Sequence, residues 1–182
     1  IPSYLQKNRM PSWQTNCIAD WEQKVDAIVE ETHDQDMRLI SGIPPWVKMY
    51  FERLRAKTNQ PIKDIFPNFS LFVYGGVNYA PYRSIFEELI GKKIDSVELY
   101  PASEGFIAFQ DHPEADGMLL QLDAGIFYEF IEADQIHEEN PPRVSLAAVK
   151  KGVNYAIILN TSAGLWGYNI GDTVAFVNLK PY

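Results

Sequence analysis

Residues 68–100, NFSLFVYGGVNYAPYRSIFEELIGKKIDSVELY, limit the fold more than any other stretch of the chain. The run NFSLFVYGG reads as a buried strand that ends in two glycines, Gly75 and Gly76. APYRSIFEELIG reads as a helix, with Pro81 early and Gly91 as its stop. KIDSVELY reads as the next strand. A strand, a helix and a strand in that order predict a parallel crossover pair in one sheet. Two further helices are expected upstream. In DWEQKVDAIVEETHDQD, residues 20–36, Trp21, Val25, Ile28 and Val29 share one face, and Asp20 with Gln23 is placed for a capping box. In SGIPPWVKMYFERLRAKT, Pro45 suits the first turn, and Trp46, Val47, Tyr50, Phe51 and Leu54 form the expected buried stripe.

After Gln110 the texture changes. DHPEADG is a turn, and MLLQLDAGIFYEFIE reads as two strands about Asp123-Ala124-Gly125. ADQIHEENPPR reads as a polar loop. NYAIILNTSAGLWGYNIGDTVAFVNL reads as strands with turns at Ser162-Ala163-Gly164 and at Gly171-Asp172. The fold class is therefore α/β: a mixed sheet with flanking helices over about residues 1–110, then a mostly antiparallel β portion over 111–182. No linker or repeat separates the two parts, so a single domain with a shared core is expected.

Charge and cysteine usage narrow the function classes. The 182 residues carry a net charge of −8 with no basic stretch, which opposes binding to a phosphate backbone, so no nucleic-acid partner is expected. The apolar share of 46% is that of a globular protein. No apolar run approaches a membrane span, and IPSYLQKNRMPSW at the start lacks the apolar core of a signal peptide. The one cysteine, Cys17, has no disulfide partner within the chain, so a cytoplasmic location is expected, with Cys17 as a small buried residue. The chain does not begin with Met and is expected to be processed or cut from something longer.

Several clusters carry little. His112 lies among Asp111, Glu114 and Asp116, but Pro113 and Gly117 make a solvated turn the simpler reading. His33 and His137 have no partner at metal-ligand spacing, and no Ser stands in a nucleophile elbow. Gly75-Gly76 between a strand and a helix is equally a tight turn or a backbone cradle for an anion. Two sites say more. Ser103-Glu104 ends a strand just after Tyr100, and Gly171-Asp172 follows an aromatic run. A hydroxyl can donate to a phosphate oxygen, a carboxylate can hold Mg²⁺, a second carboxylate can accept both ribose hydroxyls, and a tyrosine can stack on a base. The set suits ATP with Mg²⁺. The plain alternative for Ser103-Glu104 is a turn with one solvated carboxylate.

LYPASEGFIAFQD, MLLQLDAGIFYEFIE, FVYGGVNYAPYR, SGIPPWV and GLWGYNIGDTVAF together resemble the Gretchen-Hagen auxin-responsive family of acyl-acid amido synthetases, in its bacterial branch. That family belongs to the adenylate-forming superfamily. The resemblance implies the large adenylating domain and a two-step reaction. A carboxylic acid is first activated by ATP as an acyl-adenylate, and an amine or amino acid then takes the acyl group and releases AMP. It implies catalytic roles for Ser103 on the α-phosphate and Glu104 on Mg²⁺. It places adenine against Tyr100, the ribose on Asp172, and backbone at Gly75 and Gly76 near adenine or the acyl group. Gly167 and Asn169 stand where the family commonly has arginines, so no cation is assigned there. The family's phosphate-binding loop and lysine-bearing C-terminal domain are not among the 182 residues. The chain is therefore expected to be an internal piece of the large domain, inactive alone. An acyl-CoA-type ligase piece and a non-catalytic remnant are the alternatives.

Overall fold

The computed structural model describes residues 2–182. The chain divides into two compact units, the first ending at Glu98 and the second being Leu99–Tyr182.

The first unit opens with two short helices, α1 (Ser3–Gln6) and α2 (Trp13–Asn16), followed by α3 (Trp21–Thr32). Asp20 caps α3 as expected, its carboxylate accepting from the Gln23 N–H at 2.9 Å. The helix stops at Thr32, short of residue 36, with His33 as its C-cap, and the Thr32 hydroxyl bonds the Ile28 carbonyl and the Tyr50 hydroxyl, both at 2.6 Å. Strand β1 (Leu39–Ser41) follows, then α4 (Pro44–Thr58), α5 (Ile62–Ile65), β2 (Leu71–Gly75) and α6 (Arg83–Ile90). β1 and β2 run parallel in register Ile40 to Phe72. The next strand, β3 (Asp95–Ala102), lies beside β2, where the Asp95 N–H donates to the Ser70 carbonyl at 3.2 Å. On α4 the stripe Val47, Tyr50, Phe51 and Leu54 is buried, but Trp46 is 51% exposed. It sits one position off the i, i+3, i+4, i+7 row and leans on Trp21, ring centres 4.9 Å apart. Pro81 lies in a 3₁₀ turn, Ala80–Tyr82, ahead of α6 rather than in it. The core joins Phe51, Phe69, Phe72, Tyr74, Tyr79 and Phe86.

β3 carries the chain into the second unit. There it pairs antiparallel with β4 (Gly105–Phe109), which pairs antiparallel with β5 (Leu119–Leu120). A second, wholly antiparallel sheet has the order β7-β6-β8-β9, from β6 (Ile126–Glu132), β7 (Val144–Ser145), β8 (Asn154–Thr161) and β9 (Tyr168–Ala175). β8 is buried on both faces. Tyr155, Ile157 and Leu159 enter the main core with Tyr128, Phe130 and Phe176, while Ala156 and Ile158 pack with Ile131 on the other side. The described core residues thus form separate groups within each unit, in place of the shared core expected. The class is as read: α/β, with a mixed sheet and an antiparallel sheet.

Candidate functional site

Ser103-Glu104 follows directly on the last residue of β3, Ala102. Ala102 faces Gly105 across β3 and β4, so Ser103 and Glu104 are the whole turn of an antiparallel hairpin. The strand does end there, and the turn is the plain alternative for this pair. Gly105 has a steric reason to be glycine. A Cβ there would come within 2.6 Å of Ile126 Cδ1, so the end of the Ile126 side chain on β6 would have to move to admit one. Ser103 is exposed and Glu104 half-buried.

Gly171-Asp172, read as a turn, is not one. Both lie inside β9, where the register against β8 shifts: Ala156 faces Thr173, but Ile158 faces Asn169. Ile157 alone therefore spans Ile170, Gly171 and Asp172, which makes a β-bulge. Gly171 supplies the left-handed backbone with φ +89, and nothing lies within 4 Å of where its Cβ would be. The Asn169 carboxamide oxygen accepts from the Gly171 N–H at 2.9 Å and fixes the kink. Asn169-Ile170-Gly171 is an Asx pattern, which is the sequence signal for this support. Bulges re-aim side chains, and this one presents Asp172 at an exposed position.

Tyr100 and Asp172, 72 positions apart, meet. The phenol donates to Asp172 Oδ2 at 2.6 Å, the length of a charge-assisted bond. Tyr100 stands on β3, half-buried, with its ring against the main core of the second unit. Burial pushes its phenol above the usual tyrosine range, and the Asp172 bond and the charges of Asp172 and Glu104 push the same way. The Glu104 charge therefore acts on the same hydroxyl. Tyr100 and Asp172 are in direct contact, while Ser103 and Glu104 lie in the hairpin turn that follows β3.

A second network in this unit was not foreseen. The Asn160 carboxamide oxygen accepts from the Gly167 N–H at 2.7 Å, and its amide donates to Glu129 at 3.0 Å. Arg143 donates to the same Glu129 oxygen at 3.1 Å. The Arg143 guanidinium lies where a side chain on Gly167 would start, 2.9 Å from the place of its Cβ. A cation thus stands against Gly167, supplied from the segment just before β7. Local sequence gives no signal for it, because Arg143 and Gly167 meet only through the β6–β7 and β6–β8 pairings.

Gly75 and Gly76 belong to the first unit. Gly76 has φ +81 and makes the turn after β2, and residues 77–82 separate it from α6. The glycine amides are therefore not at that helix start; between the two, the Asn78 carboxamide oxygen accepts from the Ala80 N–H at 2.9 Å, at the opening of the 3₁₀ turn. Beside this loop Tyr79 lies under the Arg83 guanidinium at 5.2 Å, its phenol pushed up to about 12, mainly by burial.

His112 is exposed, with Asp111 and Glu114 each 3.9 Å away. Among the described residues no group of three or more His, Cys, Asp or Glu could hold a metal ion. Cys17 is exposed, contrary to expectation: it is the C-cap of α2, held by its backbone N–H rather than by its side chain. No helix among the described residues is long and apolar enough to cross a membrane.

Residues 119–181 match the GH3 family central domain. A jasmonoyl–L-amino acid synthetase, JAR6, of Nicotiana attenuata is 30% identical over 122 aligned residues, 62% of this chain and 21% of that protein. The GH3.15 acyl acid amido synthetase structure superposes on 95% of this chain and 40% of its own, with TM-score 0.62 and 14% identity. A 2-hydroxyisobutyryl-CoA ligase structure, in complex with 2-HIB-AMP and CoA, superposes on 84% of this chain and 34% of its own, with TM-score 0.58 and 14% identity. The chain thus spans a minor part of each relative's length. The domain match over residues 119–181 and the plant relative show a likeness to GH3 acyl-acid amido synthetases, and the superposed structures show a shared fold.

Proposed function

We propose that this chain is the nucleotide-binding portion of an ATP-dependent acyl-adenylating ligase that joins a carboxylic acid to an amine or amino acid. The observation that carries the reading is the 2.6 Å bond between Tyr100 and Asp172, two residues singled out separately for one nucleotide. Asp172 accepts the ribose hydroxyls on its remaining lone pairs, since a carboxylate offers about four acceptor sites. The Tyr100 ring lies against adenine, because its O–H bond uses the ring edge and not its faces. Ser103 donates to an α-phosphate oxygen.

Glu104 is the Mg²⁺ ligand in this reading. A half-buried carboxylate at a turn fits that ion, which takes one or two protein carboxylates and completes its shell with phosphate oxygens and water. When bound, the ion neutralises phosphate charge. The substrate carboxylate attacks the α-phosphorus and pyrophosphate leaves; the amine nitrogen then attacks the acyl carbon and AMP leaves. The residues of this chain contribute position and charge balance to both steps. The likeness to a jasmonoyl–L-amino acid synthetase favours an amine over coenzyme A as the acceptor. A bacterial source and a cytoplasmic location complete the proposal.

Titration of the chain with adenosine, and with AMP with and without Mg²⁺, followed by amide chemical shifts, tests it. Binding is expected on the order of millimolar, about −4 kcal/mol. Glu104→Gln is expected to leave adenosine binding unchanged and to abolish the gain that Mg²⁺ gives AMP. A Mg²⁺ gain that survives Glu104→Gln contradicts the metal role.

A further inference from the structure

We propose that Tyr100 is a positioning residue for Asp172: its phenol holds one carboxylate oxygen and leaves the other presented to a vicinal diol. The identity of that diol as a ribose rests on the reading above. The lock itself rests on geometry alone. Asp172 rises from a bulge in β9, exposed, with its neighbours Gly171 and Thr173 exposed as well. An aspartate in that setting has staggered χ1 wells of similar energy and would sample them. Tyr100 comes from the other sheet of the same unit and packs against the main core of that unit. Its hydroxyl is thus a fixed point. The bond at 2.6 Å joins the mobile group to the fixed one.

The bond also persists across the working pH range. Burial, and then the Asp172 carboxylate, hold the phenol proton on, so Tyr100 stays a donor where an ordinary tyrosine would begin to ionise. Oδ1 takes no part in this bond. A group pre-aimed in this way need not lose rotamer freedom when a ligand arrives, which is how preorganisation raises affinity.

The test uses the full chain with Tyr100→Phe, which keeps the ring and removes only the donor, and adenosine as the probe. The first readout needs no ligand. Side-chain scalar couplings of Asp172 are expected to report one χ1 rotamer in the wild type and averaging in Tyr100→Phe, with the remaining amide spectrum unchanged. Averaging already present in the wild type overturns the proposal. So does a single rotamer that survives Tyr100→Phe. The second variant, Asp172→Asn, is expected to bring the Tyr100 phenol titration down toward the ordinary tyrosine value; an unmoved titration overturns the proposal from the other side. The last readout is affinity. Adenosine binding is expected to weaken roughly threefold to tenfold in Tyr100→Phe, the usual effect of one hydrogen bond. Unchanged affinity overturns the positioning role. A rotamer lock with no adenosine binding in any variant supports the lock and overturns the nucleotide reading, so the two fail separately.

Discussion

Gly105 and Gly171 are glycine for opposite reasons, and the difference is measurable. At Gly171 the backbone is left-handed and the space beside it is open. At Gly105 the φ is ordinary for any residue and the space is filled, with Ile126 Cδ1 2.6 Å from a would-be Cβ. Gly105→Ala is therefore expected to cost about 1–3 kcal/mol, the usual penalty of overpacking. Ile126→Val removes the offending methyl, so the double variant is expected to be more stable than the sum of the two single penalties predicts. Denaturant unfolding of all four proteins checks this, and strict additivity would show that the contact is not the cause. Neither reason was legible in the sequence. A glycine after Ser-Glu and a glycine before Asp both read as turn punctuation, because local composition carries the demand for a small residue but not the neighbour that makes it.

At the scale of elements, α2 and α3 are held together by Glu31. Its carboxylate accepts from the Ser12 N–H at 2.7 Å, from the Ser12 hydroxyl at 2.6 Å and from the Thr15 hydroxyl. The Ser12 and Thr15 hydroxyls, with the Ser12 amide, hold the Glu31 carboxyl below its ordinary value of 4.5. A carboxyl that is lowered in the folded state contributes stability that is present above its unfolded value and lost as pH falls through the folded one. Thermal unfolding of the wild type is therefore expected to lose ground on Glu31→Gln between neutral pH and acid. At pH 7 the wild type is the more stable, and below the folded value of Glu31 the gap closes. A gap that is constant with pH would contradict the role of the charge. The Asp20 cap of α3 was legible because an N-cap is a local rule. The Glu31 clamp was not, because Ser12 and Thr15 lie 19 and 16 positions away. Strand β1 was missed for another reason: three residues are too few to show a period. The bulge in β9 was read as a turn, since only pairing with β8 decides whether Gly-Asp reverses a strand or kinks it.

At the scale of the whole molecule, the class was legible and the division was not. The change from helical to two-residue periodicity gave the α/β part and the β part. The run from residue 154 read as strands, but its burial on both faces shows only in the structure. Two separate cores do not show in composition, since both are built from the same aromatic and branched residues. The candidate site was legible as a list of residues and illegible as an arrangement: the bond between Tyr100 and Asp172 depends on how two sheets of one unit fold together.

That arrangement also supplies the most direct test of the central claim, that this unit holds a nucleoside by its ribose. The measurement is an amide-shift titration with adenosine of the wild type beside Asp172→Ala. Saturable, millimolar-range binding is expected for the wild type, with perturbed amides around residues 100–105 and 169–173. In Asp172→Ala a loss of about tenfold or more is expected, because hydrogen bonds to a charged acceptor are worth about 1.5–3 kcal/mol and a methyl group accepts none. Saturable binding that is indifferent to Asp172→Ala, or no shift at all up to the solubility limit of adenosine, would contradict the account.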